Sequence, residues 1–244
     1  MSAGAIVVTL VLGVLAIGLV MTERGGRDVR RLALIAALTA AATAGRVLFA
    51  AIPNVKPVTV IVLVTGAVLG ARAGFAVGAL TALLSNMVFG QGSWTPGQMA
   101  LWGAAGLVGA ALPAVCRRAP GLAIVGFAWG WVFGWGMDLW GLATFGPEVS
   151  WAAFLAKLAT GIWFVAAHAI GNVVFALMIG PSLVRLLTRY RDRIETTIDW
   201  QSAPLPEGTR PLRRPRPPPG RAPADGPSRV QCGDVRRLTT RDPR

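Results

Sequence analysis

The sequence has little charge and few of the groups that carry out chemistry. Of its 244 residues 14% are Asp, Glu, Lys or Arg, and it holds one histidine, His168, one tyrosine, two lysines and two cysteines. Cys116 stands beside Arg117 and Arg118 while Cys232 lies in the C-terminal tail, so neither a disulfide framework nor a thiolate metal site is indicated. No G-x-x-x-x-G-K-S/T loop is present to cradle a nucleoside triphosphate and no H-E-x-x-H pair to hold zinc, and His168 has no cysteine nucleophile near it in sequence. The expectation is a protein that is not an enzyme, with no cofactor and no metal.

The formal net charge is +13, but 14 of the 22 arginines lie at or after Arg185. The aromatic residues lie in the apolar body instead, whereas a reader of DNA or RNA places basic and aromatic side chains on one folded surface. Nucleic acid is therefore not an expected partner. What is abundant is apolar length: 54% hydrophobic residues, 30 glycines and a mean hydropathy of +0.57 describe a chain whose main solvent is lipid.

Apolar runs at about 4–21, 31–52, 58–71, 73–89, 98–116, 121–145 and 151–180 read as seven transmembrane helices. The third holds only 14 residues, against the roughly 20 needed to cross the hydrocarbon layer, so it must be short or sheltered by its neighbours. Arg24, Arg27, Arg30 and Arg31 come after the first span, Arg72 after the third, Arg117 and Arg118 after the fifth, and Arg185 to Arg193 after the last. Alternate loops are thus basic, which places them in the cytoplasm and the N-terminus outside. The outer loops carry Asn54 and Lys56, the uncharged segment from Phe89 to Gln98, and one acid, Glu148. The first span lacks a basic leader and an Ala-x-Ala cleavage site, so it reads as a retained anchor.

After Pro181, Leu183, Leu186, Leu187, Tyr190 and Ile194 share a helical face ringed by arginines, which suits a helix lying along the inner membrane surface. From Gln201 onward ten of the 17 prolines mix with arginine and glycine, a composition that predicts disorder. The expected division is therefore 1–30, an N-terminal span and basic loop; 31–200, a membrane domain ending in the amphipathic helix; and 201–244, a disordered cytoplasmic tail.

Polar side chains inside a bilayer are costly, so each one invites a functional reading. Lys157, Gly161, Phe164, His168 and Asn172 recur at helical spacing on the last span and form one stripe aimed at the bundle interior. Contact with a ligand is one reading; Lys157 reaching the interface, with His168 and Asn172 bonding a neighbouring helix, is the other. On the sixth span Trp131, Trp135 and Asp138 share a face that can stack a flat ring beside a carboxylate. Against it stand an interfacial aromatic belt and a structural Asp138–Lys157 pair. The outer segment from Asn86 through Gln91 and Trp94 to Gln98 carries a capping box, with Thr95 as cap, Pro96 in the first turn and Gln98 closing it. A helix starting there aims its donors outward, with Trp94 as a ring to cover a ligand; the plainer reading is an ordinary turn with an interfacial tryptophan. Finally, Ala33, Ala37 and Ala41, or Ala36, Ala40 and Ala44, form small-residue ridges on the second span, for internal packing or for a partner subunit.

The segments RVLFAAIPNVKP (46–57), Asn86 to Gln98 and MALWGAAG (99–106) resemble the substrate-binding subunits of energy-coupling factor transporters, a type of ABC importer, over about residues 31–190. Within that family the chain looks most like members assigned to cobalamin or related corrinoids. The resemblance implies an all-α membrane protein with a six-helix core, to which the first span is an addition. It implies capture of a vitamin outside the cell by Asn54, Lys56, Asn86, Gln91, Trp94, Gln98 and the polar stripes. A transmembrane coupling subunit, meeting the alanine ridge of the second span, and two ATP-binding subunits would drive uptake. Two other readings stay open: a stand-alone carrier, which would need internal symmetry that the sequence does not display, and an intramembrane enzyme using Asp138, Lys157 and His168.

Overall fold

The computed structural model describes residues 2–23, 29–146 and 149–202. Arg24, Arg27, Glu148, Cys232 and the expected disorder from Ala203 onward lie outside the described residues, as does the side chain of Ile194. Nine helices and no strand occur among the described residues: α1 (Ala3–Glu23), α2 (Val29–Leu48), α3 (Val58–Leu69), α4 (Ala71–Phe89), α5 (Trp94–Ala111), α6 (Pro113–Cys116), α7 (Ala119–Phe145), α8 (Trp151–Met178) and α9 (Gly180–Ser202). Five of them, α1, α2, α4, α7 and α8, are long and apolar enough to cross a membrane, consistent with a multi-pass membrane protein.

Each apolar run became a helix, with two corrections at the breaks. The run at 98–116 is not one span: α5 begins at Trp94, and Pro113, which has no N–H to donate, separates α5 from the single turn of α6. The second run stops at Leu48 instead of continuing to 52, because the chain turns through 49–57 ahead of Pro53 and Pro57. Between α3 and α4 the break is one residue, Gly70 at φ 90°, a conformation that a side chain would strain.

α3 is both short and sheltered. Its 12 residues rise about 18 Å at 1.5 Å each, and all 12 are buried. α4 and α5 close over it where three glycines meet: a Cβ on Gly74 would lie 2.7 Å from Gly66 Cα and 2.8 Å from Gly106 O. Such small-residue crossings let helices pack tightly where lipid supplies no hydrophobic drive for association.

The two ends of α3 differ chemically. At its C-terminus Arg117 donates from Nε and Nη2 to Ala67 O, at 3.1 and 2.8 Å, and Arg31 Nη2 donates to Leu69 O at 2.8 Å. These are carbonyls that a helix end leaves unpaired, and cations there also oppose the helix dipole. Arg72, in the first turn of α4, belongs to the same end. α9 packs across this end through Leu183, Val184 and the buried Leu187, while Leu186 and Tyr190 stay exposed. The opposite end of α3 leads back into the 49–57 turn and a cluster of polar residues.

Candidate ligand-binding site

Between α2, the 49–57 turn, α5, α7 and α8 lies a cavity of about 200 Å³, lined by Arg46, Asn54, Lys56, Gln98, Trp102, Phe133, Gly134, Met137, Asp138, Gly161, Phe164 and Val165. Two larger concavities, of about 310 and 250 Å³, run beside α1 and are walled mainly by small and aliphatic residues. Of the three, the 200 Å³ cavity alone brings charged side chains together with rings.

Its central cation, Arg46 in the last turn of α2, is buried and bonded to two other helices. Nη1 donates to Asn86 Oδ1 at 2.9 Å and to Ser85 Oγ, both on α4, and Nη2 donates to Gln98 Oε1 on α5 at 3.3 Å. The guanidinium also lies over the rings of Phe89 and Trp102, 5.0 and 4.9 Å from their centroids. Desolvated cation–π contacts of this kind contribute up to about 2 kcal/mol. Arg46 Nε remains without a partner.

Gln98 is consequently not the closing residue of a capping box, a correction to the sequence reading. Its Oε1 accepts from Arg46 and, at 2.9 Å, from Asn86 Nδ2, and no side chain caps α5 behind Ser93. Asn86 is wholly buried and also donates to Thr95 Oγ1 at 2.9 Å; Thr95 in turn donates to Gln91 Oε1, and Gln91 Nε2 donates to Leu83 O. Asn86 and Gln91 therefore hold the turn before α5 rather than line the cavity. Trp94 is 41% exposed and lies off the lining. The buried Trp140, on α7, steadies this turn by donating from Nε1 to Ser93 O at 2.7 Å.

A second network fixes the 49–57 turn to α8. Asn54 adopts φ 60°, the left-handed region in which Asn is among the best-tolerated side chains, and its Nδ2 donates to Phe164 O at 2.7 Å. His168 lies 3.1 Å through Nδ1 from Asn54 O and 3.2 Å through Nε2 from Thr59 Oγ1, while Trp102 Nε1 lies 3.4 Å from the same hydroxyl. An indole N–H only donates and a carbonyl only accepts, so the protons run one way: Trp102 to Thr59, Thr59 to His168 Nε2, and His168 Nδ1–H to Asn54 O. Both ring nitrogens are committed. The ring also stacks on Phe133, which stacks on Trp102, at centroid distances of 5.1 and 4.8 Å, and these stacked rings back the cavity. Changing His168 to Phe should keep the stack but strand Asn54 O and the Thr59 hydroxyl, costing about 1–3 kcal/mol per unsatisfied group. The check is the thermal midpoint of the detergent-solubilised protein, which should fall for His168→Phe.

The two stripes of the sequence reading are only partly brought together. Gly161, Phe164 and Asp138 line the cavity. Asn172 is buried between α7 and α8 and donates to Gly126 O at 3.0 Å, which is a packing role. Lys157 is exposed; its charge acts on Asp138, but no direct ion pair joins them. Trp131 and Trp135 pair with each other at 5.5 Å and lie off the lining, with Trp135 43% exposed; α7 turns Phe133 and Met137 inward instead. The lining residues that sequence reasoning did not place in the site are Arg46, Trp102, Phe133, Gly134, Met137 and Val165. Of these only Arg46 carried a signal, a lone arginine inside an apolar run.

Lys56, in the turn, has no hydrogen-bonding or ion-pair partner among the described residues. Partial burial, reinforced by the positive charge of Arg46, lowers its pKa to about 8. Asp138 Oδ2 is buried and also unpartnered, 3.6 Å from where a Cβ on Gly161 would stand. Compared with known protein families, curated proteins and solved structures, the chain matches none. The chemistry of the site therefore rests on its own residues: two cations and one carboxylate, two side-chain amides and an aromatic wall around a small chamber.

Proposed function

We propose that this chain is the substrate-capturing subunit of a vitamin importer of the energy-coupling factor type, seated in the cell membrane with α1 added to a six-helix core of α2, α3, α4, α5, α7 and α8. The observation that carries the reading is the chamber itself. It is lined by residues of all three segments that bear the family likeness, Arg46, Asn54 and Lys56 from the first, Gln98 from the second and Trp102 from the third, and holds polar groups with unused hydrogen-bonding capacity. Small-molecule sites are built in this way, from apolar and aromatic walls with a few convergent polar groups. In this reading the chamber faces outward, and the arginine-rich end, α9 and the tail face the cytoplasm. Energy comes from partner subunits, since the chain has no nucleotide-binding loop. The corrinoid ligand implied by the likeness would require the chamber to widen, because it is smaller than the roughly 300–1,000 Å³ of typical ligand pockets.

The alanine ridges support the same reading. Leu38, Thr39, Ala42 and Arg46 turn inward, whereas Ala33, Ala36, Ala37, Ala40, Ala41 and Ala44 are not buried. Small residues left uncovered within the chain suit close contact with a transmembrane coupling subunit. Ala37→Leu should therefore leave folding and ligand affinity unchanged while reducing ATP-driven uptake at least tenfold in vesicles containing the coupling and ATP-binding subunits. Full uptake by Ala37→Leu would remove α2 as the docking helix. The intramembrane enzyme gains nothing from the geometry, since His168 has no nitrogen left to exchange a proton with a substrate.

A further inference from the structure

The contents of the chamber narrow the ligand. Resting on the capture reading, we infer that the chamber takes a small, single-ring organic acid bearing a hydrogen-bond donor: the acidic group pairs with Lys56 and with the buried, unpartnered Nε of Arg46, the ring lies against Trp102 and Phe133, and the donor meets Asp138.

Three observations lead there. The first is size, since a cavity of about 200 Å³ holds one ring with short substituents. The second is uncompensated positive charge. Lys56 has no partner among the described residues, and the guanidinium of Arg46, though bonded through both terminal nitrogens to neutral groups, meets no carboxylate and leaves its buried Nε unpartnered. An acid entering beside them gains charge-assisted hydrogen bonds, roughly twice as strong as neutral ones. The third is Asp138, whose buried Oδ2 is an acceptor with nothing to accept. A ligand with a donor satisfies it; a ligand with only an acid does not.

The same geometry governs protonation. Burial and the charge of Arg46 on α2 act on Lys56; Asp138 on α7 lines the same chamber and feels the charge of Lys157, and His168 on α8 has both ring nitrogens hydrogen-bonded. With a pKa of about 8, Lys56 is the group whose charge is lost first as pH rises. Acid binding should therefore be strong at pH 7 and weaken between pH 8 and 9.

The test uses the full chain in detergent, with titration calorimetry against 4-aminobenzoate, 4-aminobenzamide and benzoate. The first has acid and donor, the second lacks the charge, and the third lacks the donor. The inference expects 4-aminobenzoate to bind at least tenfold more tightly than its amide at pH 7. Lys56→Met should abolish that preference, and Lys56→Arg should keep it and remove the weakening above pH 8. Asp138→Asn should weaken 4-aminobenzoate while leaving benzoate unchanged. Equal affinity for acid and amide, or no binding of either acid, overturns the inference. If the protein then still retains a neutral, cationic or larger molecule through purification, the capture reading survives and the ligand class alone is wrong. If it retains and binds nothing of any class, the capture reading falls as well.

Discussion

Replacing Arg46 with methionine should lower the thermal midpoint of the detergent-solubilised protein more than any other change at the chamber, and should remove ligand binding. Methionine matches the length and apolar volume of the arginine stem, so the loss isolates the guanidinium. Arg46 is 6% exposed, and its guanidinium joins α2 to α4 and α5 through Ser85, Asn86 and Gln98. Hydrogen bonds to a charged group contribute roughly 1.5–3 kcal/mol each, and truncating one side leaves buried acceptors behind. Removing one member of a buried charged network typically costs about 3–5 kcal/mol. For a protein of this size that corresponds to a fall of at least about 5 °C, read by following tryptophan fluorescence on heating. Arg46→Lys keeps the charge but cannot reach three acceptors at once, so it should fall between wild type and Arg46→Met. A midpoint unchanged in Arg46→Met would mean that the three-helix tie contributes nothing.

Gly106→Val should prevent the protein from emerging as a single monodisperse peak in size-exclusion chromatography, and Gly106→Ala should give a protein that melts far earlier. A Cβ at Gly106 would collide with the carbonyl of Gly74 and come within 2.6 Å of the Phe75 nitrogen. Every one of these neighbours is backbone, so no rotamer change relieves the overlap and the α4–α5 crossing must open. Opening it also uncovers α3, whose residues are all buried and whose short length suits neither water nor lipid. The control is Gly13→Ala on α1, where a Cβ meets nothing within 4 Å; there the gain in helix propensity, up to about 1 kcal/mol, should leave the midpoint unchanged or raised. Equal behaviour of Gly106→Ala and Gly13→Ala would contradict the close three-helix contact.

Segment boundaries were readable because the signals that set them are local. Apolar runs fix where helices lie, Gly70 breaks one pair and Pro113 another, and a fully apolar α3 announces that it must be sheltered. Orientation about each helix axis was much less readable. In a soluble helix the polar side marks the solvent, but a helix facing lipid on one side and protein on the other is apolar all round. α7 is such a case: the spacing of Trp131, Trp135 and Asp138 defines a face without saying which neighbour it meets, and the tryptophans lie off the chamber while Phe133 and Met137 line it. The stripe on α8 fared better because His168 and Asn172 are polar enough to be driven inward. Their final partners, the Asn54 carbonyl and the Gly126 carbonyl, are 114 and 46 residues away in sequence and leave no periodic trace. Long range also explains the capping box. Thr95 and Gln98 have the right spacing for it, but Arg46, 52 residues earlier, takes the Gln98 oxygen.

The proposed division of labour is tested most directly by reconstituting the chain alone into liposomes and measuring both binding and counterflow of the radiolabelled ligand. Mass spectrometry of whatever the purified protein retains selects that ligand, with 4-aminobenzoate and cobalamin as the fixed comparisons. A capture subunit should hold about one ligand per chain and exchange none across the bilayer, with transport appearing only when the coupling and ATP-binding subunits and ATP are added. Rapid counterflow by the chain alone would contradict the capture reading and identify a self-sufficient carrier.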